Sequence, residues 1–205
     1  MTNLIDSIKD YVTPELLEHS AALLGENAGG VSKAVGALVP SILAGLLDKT
    51  GDSDAVEGIF QALGNFDSGA LDHLGDLVGG GNLAHNDPKD AAGHLLGTVF
   101  GAKVPAITNA VAAFSGTKAA SVSALLGMAG PLVMGVVSKK IKSDGLNASG
   151  FANLLMDEKS VILGALPTGL SSILGLTVRN DGAAETPAAA GSGWLWPLLL
   201  FLGLG

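Results

Sequence analysis

GENAGGVSKAVGALVPSILAGLLDK, residues 25–49, and GTKAASVSALLGMAGPLVMGVVSKK, residues 116–140, lie 91 positions apart and can be laid over one another without a gap. Each opens on a glycine and then runs apolar for more than a dozen residues at helical spacing. Each carries a glycine four residues ahead of a central proline, Gly36 and Pro40 in one and Gly127 and Pro131 in the other. Extended outward, the same offset aligns 14–63 with 105–154 and matches Pro14/Pro105, Ala21/Ala112, Ala22/Ala113, Val31/Val122, Ser32/Ser123, Lys49/Lys140, Phe60/Phe151 and Leu63/Leu154. The agreement exceeds what Ala- and Gly-rich composition supplies, so the chain reads as a duplication. Each unit is a helix, a glycine turn, a long helix kinked by proline, and a short helix ending in Phe-x-x-Leu, with Phe60 and Phe151 expected in equivalent buried positions. A unit with one apolar face per helix must stack on its neighbour to bury that face.

The rest of the chain is punctuated for helices. Thr13-Pro14-Glu15 and Asp87-Pro88-Lys89-Asp90 place a capping side chain, a proline and an acid where a helix begins. Asp52 and Asp67 stand ahead of further apolar runs, and no stretch alternates as a strand would. Helices are predicted over 3–11, 14–24, 31–48, 54–63, 69–78, 88–100, 105–114, 119–142 and 148–157, with a tenth from 160 to about 175. The expected fold class is all-α. A compact helical domain spans 1–178, and RNDGAAETPAAAGSG, residues 179–193, reads as a flexible linker. WLWPLLLFLGLG, residues 194–205, follows as a hydrophobic segment.

That last segment opens with Trp194 and Trp196, the residue type that favours a membrane–water interface. Twelve residues reach about 18 Å as a helix against a hydrocarbon core of about 30 Å. The segment is therefore read as the start of a transmembrane or membrane-inserting element. Two internal stretches are also uncharged for long enough to span, the 20 residues between Lys118 and Lys139 and the 19 between Lys159 and Arg179. The repeat argues otherwise, because the counterpart of the first stretch carries Lys33 and has 14 uncharged residues before Asp48. Two copies of one unit occupy one solvent, so both are assigned to the core.

Composition narrows the chemistry. The 205 residues include 30 glycines and no cysteine, which excludes thiol catalysis, disulfide scaffolds and cysteine-ligated metals. A net charge of −8 with a single arginine argues against a nucleic-acid partner. The charge is uneven: −10 over residues 1–90, +3 over 91–178 and −1 beyond. Opposite halves of this kind are expected to pair within the chain. Mean hydropathy is +0.47, high for a water-soluble chain, and comes from Ala, Leu and Val rather than aromatics.

His85, Asp87, Asp90 and His94 form the one cluster with a metal-like look, and Asp72, His73 and Asp76 form a second acidic face. Asp87 and Asp90 are already explained as cap and first-turn acid, so no metal site is assigned. No serine lies in a nucleophile-elbow setting, and Gly79-Gly80-Gly81 lacks the lysine and hydroxyl of a phosphate loop. Neither catalytic nor cofactor-binding residues are assigned. Lys139, Lys140 and Lys142 make a basic cluster at a helix end, where the dipole alone favours lysine.

Gly97 and Gly101 after Leu95-Leu96, Ser115-Gly116, Leu125-Leu126, Pro131 and Met134-Gly135 form a pattern that resembles the bacterial domain of unknown function 937 family, which includes the YidB-like proteins. The first repeat is similar to the same pattern, and the resemblance covers about residues 14–178. It implies an all-helical fold and no activity, cofactor or catalytic residue. Some larger relatives of this type place the helical region ahead of a transmembrane segment and an OmpA-like domain. The resulting expectation is a non-enzymatic helical interaction or scaffolding module of the bacterial cell envelope. It would be tethered to the inner membrane through 194–205, with its helical domain on the cytoplasmic side. A soluble self-assembling scaffold and a hydrophobic-ligand or lipid-binding module, with a pocket between glycine-rich helices, are the alternatives.

Overall fold

A computed structural model describes residues 3–66, 88–167 and 169–175, with backbone alone for 88–92. The described residues are helical and contain no strand. In chain order the helices are α1 (Leu4–Lys9), α2 (Pro14–Leu24), α3 (Ala28–Asp48), α4 (Ser53–Gly64), α5 (Pro88–Phe100), α6 (Val104–Ser115), α7 (Ala119–Asp144), α8 (Ala148–Asp157), α9 (Lys159–Ala165) and α10 (Leu170–Leu174). Short 3₁₀ turns at Lys49–Gly51 and Gly101–Lys103 close α3 and join α5 to α6.

The starts are set locally. Thr13 Oγ1 accepts from the Leu16 N–H, Asp52 accepts from Asp54 and Ala55, and Asn27 and Asn147 accept from Gly30 and Gly150 three residues on. Each side chain satisfies an amide that the first turn leaves without a partner. The Asn27 cap starts α3 at Ala28, three residues earlier than the apolar pattern alone predicts. Gly25, Gly116 and Gly145 end α2, α6 and α7 in the left-handed region, where glycine has no Cβ to clash.

α3 and α7 pack against each other at the centre, and the remaining helices surround them. Both are buried on every side over 37–47 and 128–138, as expected of helices apolar all round. The burial pattern of 28–48 repeats position for position over 119–139. Pro40 and Pro131 sit inside α3 and α7 without ending them. Proline lacks the amide that the carbonyl four residues back would use. Those carbonyls belong to Gly36 and Gly127, both exposed, so the freed acceptors lie where water can reach them.

Ala28–Gly51, Gly93–Ser115 and Ala119–Asp144 are long and apolar enough to cross a membrane by length and composition. In the folded chain 83% of the apolar window in the first and 78% in the third is buried inside the protein.

Two expectations change. The predicted helix over 160–175 is two helices, because Pro167 forces Leu166 into an extended conformation (φ −71°, ψ 131°) that stops α9. Phe151 is fully buried, whereas Phe60 is half-buried, since Val56, Ile59 and Leu63 take the inward face of α4. Lys9–Asp6 and Lys140–Asp144 each pair within a single helix, and Asp67, Asp72, Asp76 and Asp87 of the acidic half lie outside the described residues. An acid does cross between the halves at Glu26, which accepts from the Lys118 N–H at 3.0 Å and the Ser121 hydroxyl at 2.7 Å. It supplies to α7 the cap that Lys118 itself cannot give.

These bonds, the backbone one foremost, hold the Glu26 carboxyl below its ordinary value of 4.5. An acid with a depressed folded-state pKa stabilises above its unfolded pKa, and the contribution disappears as pH falls through the folded one. In melts from pH 7 to pH 3, wild type is expected to exceed Glu26→Gln at neutral pH, with the gap closing below about pH 4.5. A gap that stays constant over this range would remove Glu26 as an ionised cap.

Candidate functional site

α1, α2, α3 and α9 enclose a cleft of about 410 Å³ beside the proline of α3. Its walls are mainly aliphatic: Ile5, Ile8 and Val12 from the first segment, Leu17 from α2, and Val35, Val39 and Pro40 from α3. Gly36 lines it without a side chain, and a Cβ placed there would meet nothing within 4 Å. On this face of α3, Ser32 and Gly36 are exposed, whereas Val35, Val39 and Pro40 are buried.

Lys9, at the last turn of α1, is the one charged side chain lining the cleft. It lies 3.5 Å from Asp6, with side-chain exposures of 69% and 53%, so the pair is too exposed to fix the ammonium firmly. Ser32 adds an exposed hydroxyl. Ser20, Ser41, Thr108 and Ser115 return their hydroxyls to the carbonyl four residues back, whereas no such bond holds Ser32 among the described residues.

α1 is held by a distant residue. The Glu158 carboxylate, between α8 and α9, accepts the Leu4 N–H through both oxygens at 2.8 and 2.9 Å. Burial pushes this carboxyl above 4.5, outweighing the opposing effect of the Leu4 bond. The clamp therefore holds α1, which forms one wall of the cleft, at the cost of partly burying a carboxylate.

Within the family model described as a bacterial protein of unknown function (DUF937), the match runs over residues 6–140. The chain belongs to the DUF937 family. No curated protein and no solved structure matches it. The DUF937 match takes in the cleft-lining residues except Ile5 and Ala165, and ends inside α7. It is shorter at the C-terminal side than the resemblance to residue 178.

The other singled-out residues separate. Trp194, Trp196, His85, Asp87, Asp72, His73, Asp76 and Gly79-Gly80-Gly81 lie outside the described residues, and of Asp90 only the backbone is described. His94 is exposed on α5. Among the described residues no group of three or more His, Asp or Glu is placed to hold a metal ion. The lysine cluster is drawn into the fold: Lys139 donates to the Tyr11 hydroxyl at 3.1 Å, Lys140 pairs with Asp144 at 2.8 Å, and Lys142 donates to the Phe66 carbonyl at 3.1 Å. Lys9 and Ser32 escaped the sequence reading, since neither belongs to a motif. The spacing of Gly36 and Pro40 was the available signal.

Proposed function

We propose that this DUF937 protein is a non-enzymatic helical binding module of the bacterial cell envelope, tethered at the inner membrane through residues 194–205. The observation that carries the reading is where the apolar helices go. α3 and α7 are spent on the protein's own core, and in this reading membrane attachment falls to Trp194, Trp196 and the apolar run that follows them rather than to Gly93–Ser115, of whose apolar window 44% is buried. The helical domain lies on the cytoplasmic side in this reading, and the acidic balance of the chain disfavours a nucleic-acid partner.

The reading takes the two halves as a duplicated unit related by an approximate two-fold axis. Support comes from the repeated burial pattern of α3 and α7 and from reciprocal contacts. Glu26 reaches Ser121 in the first turn of α7, and Thr117, 91 residues on from Glu26, packs its methyl against Gly30 in the first turn of α3. Reciprocity of this kind is what a two-fold interface produces.

Cell fractionation tests the tether. The full chain is expected in the membrane pellet in both low and high salt, and a chain ending at Arg179 in the soluble fraction. A truncated chain that still pellets at both salt concentrations would overturn the assignment of attachment to 194–205.

A further inference from the structure

At the offset of 91 residues α2 lies over α6, and Leu23 falls on Phe114, each 51% exposed. The outward face of α2 also carries Glu15 and Glu18, as the solvent side of a helix usually does. The same positions on α6 are Ala106 and Asn109, both exposed, and no acid occurs from residue 91 to residue 143. α6 therefore shows an uncharged face with a half-exposed aromatic ring, while its other side packs on α3 and α7. Lys103 and Lys118, exposed as well, stand just beyond the two ends of the helix. Glu26 reaches the Lys118 end, but its carboxylate is already taken up by the Lys118 N–H and the Ser121 hydroxyl.

The course of the chain says what covers this face. Lys103 donates from Nζ to the Leu174 carbonyl at 2.9 Å, so the described chain ends, at Gly175, beside the start of α6. Eighteen residues separate Gly175 from Trp194, a length of Ala- and Gly-rich chain that reaches roughly 20–25 Å. A tether at 194–205 thus brings the α6 end of the domain to the bilayer. We propose that the outward face of α6, with Phe114 and the flanking Lys103 and Lys118, docks on the anionic lipid surface of that membrane. The inference rests on the tether reading. Phe114 enters the headgroup boundary, and the two ammonium groups meet lipid phosphates at the ends of long apolar stems. α6 spans nothing, since its inner side is spent on α3 and α7; the face orients a domain that the tether holds. Glu15 and Glu18 of α2 would be repelled by the same surface, so charge selects between the two faces.

The chain has no cysteine, so Ala113→Cys and Ala22→Cys, exposed and equivalent at the 91-residue offset, each take one environment-sensitive fluorophore in the full chain. Each labelled protein is reconstituted and floated with vesicles of phosphatidylcholine alone or mixed equally with phosphatidylglycerol. In the anionic vesicles the label at position 113 is expected to shift to the blue, at least double its emission and be quenched by nitroxide lipid, and the label at position 22 to do none of these. Adding Ala106→Glu and Asn109→Glu gives α6 the acids of α2 at exposed positions. This change is expected to return the label at 113 to its aqueous signal while flotation and melting temperature stay as before. A chain that floats with an aqueous label at 113 would remove the docking face and leave the tether standing; a chain that does not float would remove both. Equal responses at 113 and 22, or indifference to the added acids, would also overturn the proposal. Shielding at 113 that persists in phosphatidylcholine alone and grows with protein per vesicle would assign the face to a second copy of the chain instead.

Discussion

Replacing Phe151 by alanine is expected to lower the unfolding free energy by about 3–5 kcal/mol, the range for deleting a buried aromatic ring from a packed core. Phe151 is 1% exposed, and its helix α8 packs on α3 and α4. The same change at Phe60, half-buried on α4, removes contacts on one side only and is expected to cost less than half as much. Urea melts of the two variants measure the difference through the transition midpoint at unchanged slope. Equal losses would mean that the two phenylalanines share one environment, contrary to the inward placement of Ile59 and Leu63 on α4.

A second contrast lies within α3. Gly45→Leu is expected to destabilise by at least the roughly 1–3 kcal/mol typical of core overpacking, because even a Cβ at Gly45 would overlap the side chains of Val99 and Phe100 on α5. Gly36→Ala, nine residues earlier on the same helix, is expected to stabilise by up to about 1 kcal/mol, the difference in helix propensity between the two residues. Opposite signs in thermal melts check both. A neutral result at Gly45 would show that α5 does not rest on α3 at that point.

Much of the helical layout was legible in the sequence because its causes are local. Thr13 and Asp52 cap whatever helix follows them, Gly25 and Gly116 take the left-handed conformation that stops one, and an apolar pattern at helical spacing needs no distant partner to be recognised. The offset of 91 residues likewise lays α3 over α7, and the two helices share one burial pattern because similar residues stand in similar order. Pro167 was equally local, and its effect on Leu166 was there to be read.

The tertiary structure alone decided what depends on residues far apart in the chain. Glu26 caps a helix 92 residues away and Glu158 clamps one 154 residues away, and nothing in their immediate sequence distinguishes them from other surface acids. Gly36 and Gly45 look alike in a glycine-rich helix, yet one faces open space and the other the side chains of α5. Lys139 and Lys142 read as part of a basic cluster at a helix end, and only the fold brings Tyr11 and the Phe66 carbonyl beside them. Lys9 became part of a candidate site only because α1, α2, α3 and α9 leave an unfilled space next to it. Propensity and capping act over a few residues and are written in order along the chain, whereas close approach, capping from a distance and the volume of a cleft arise from which helices meet.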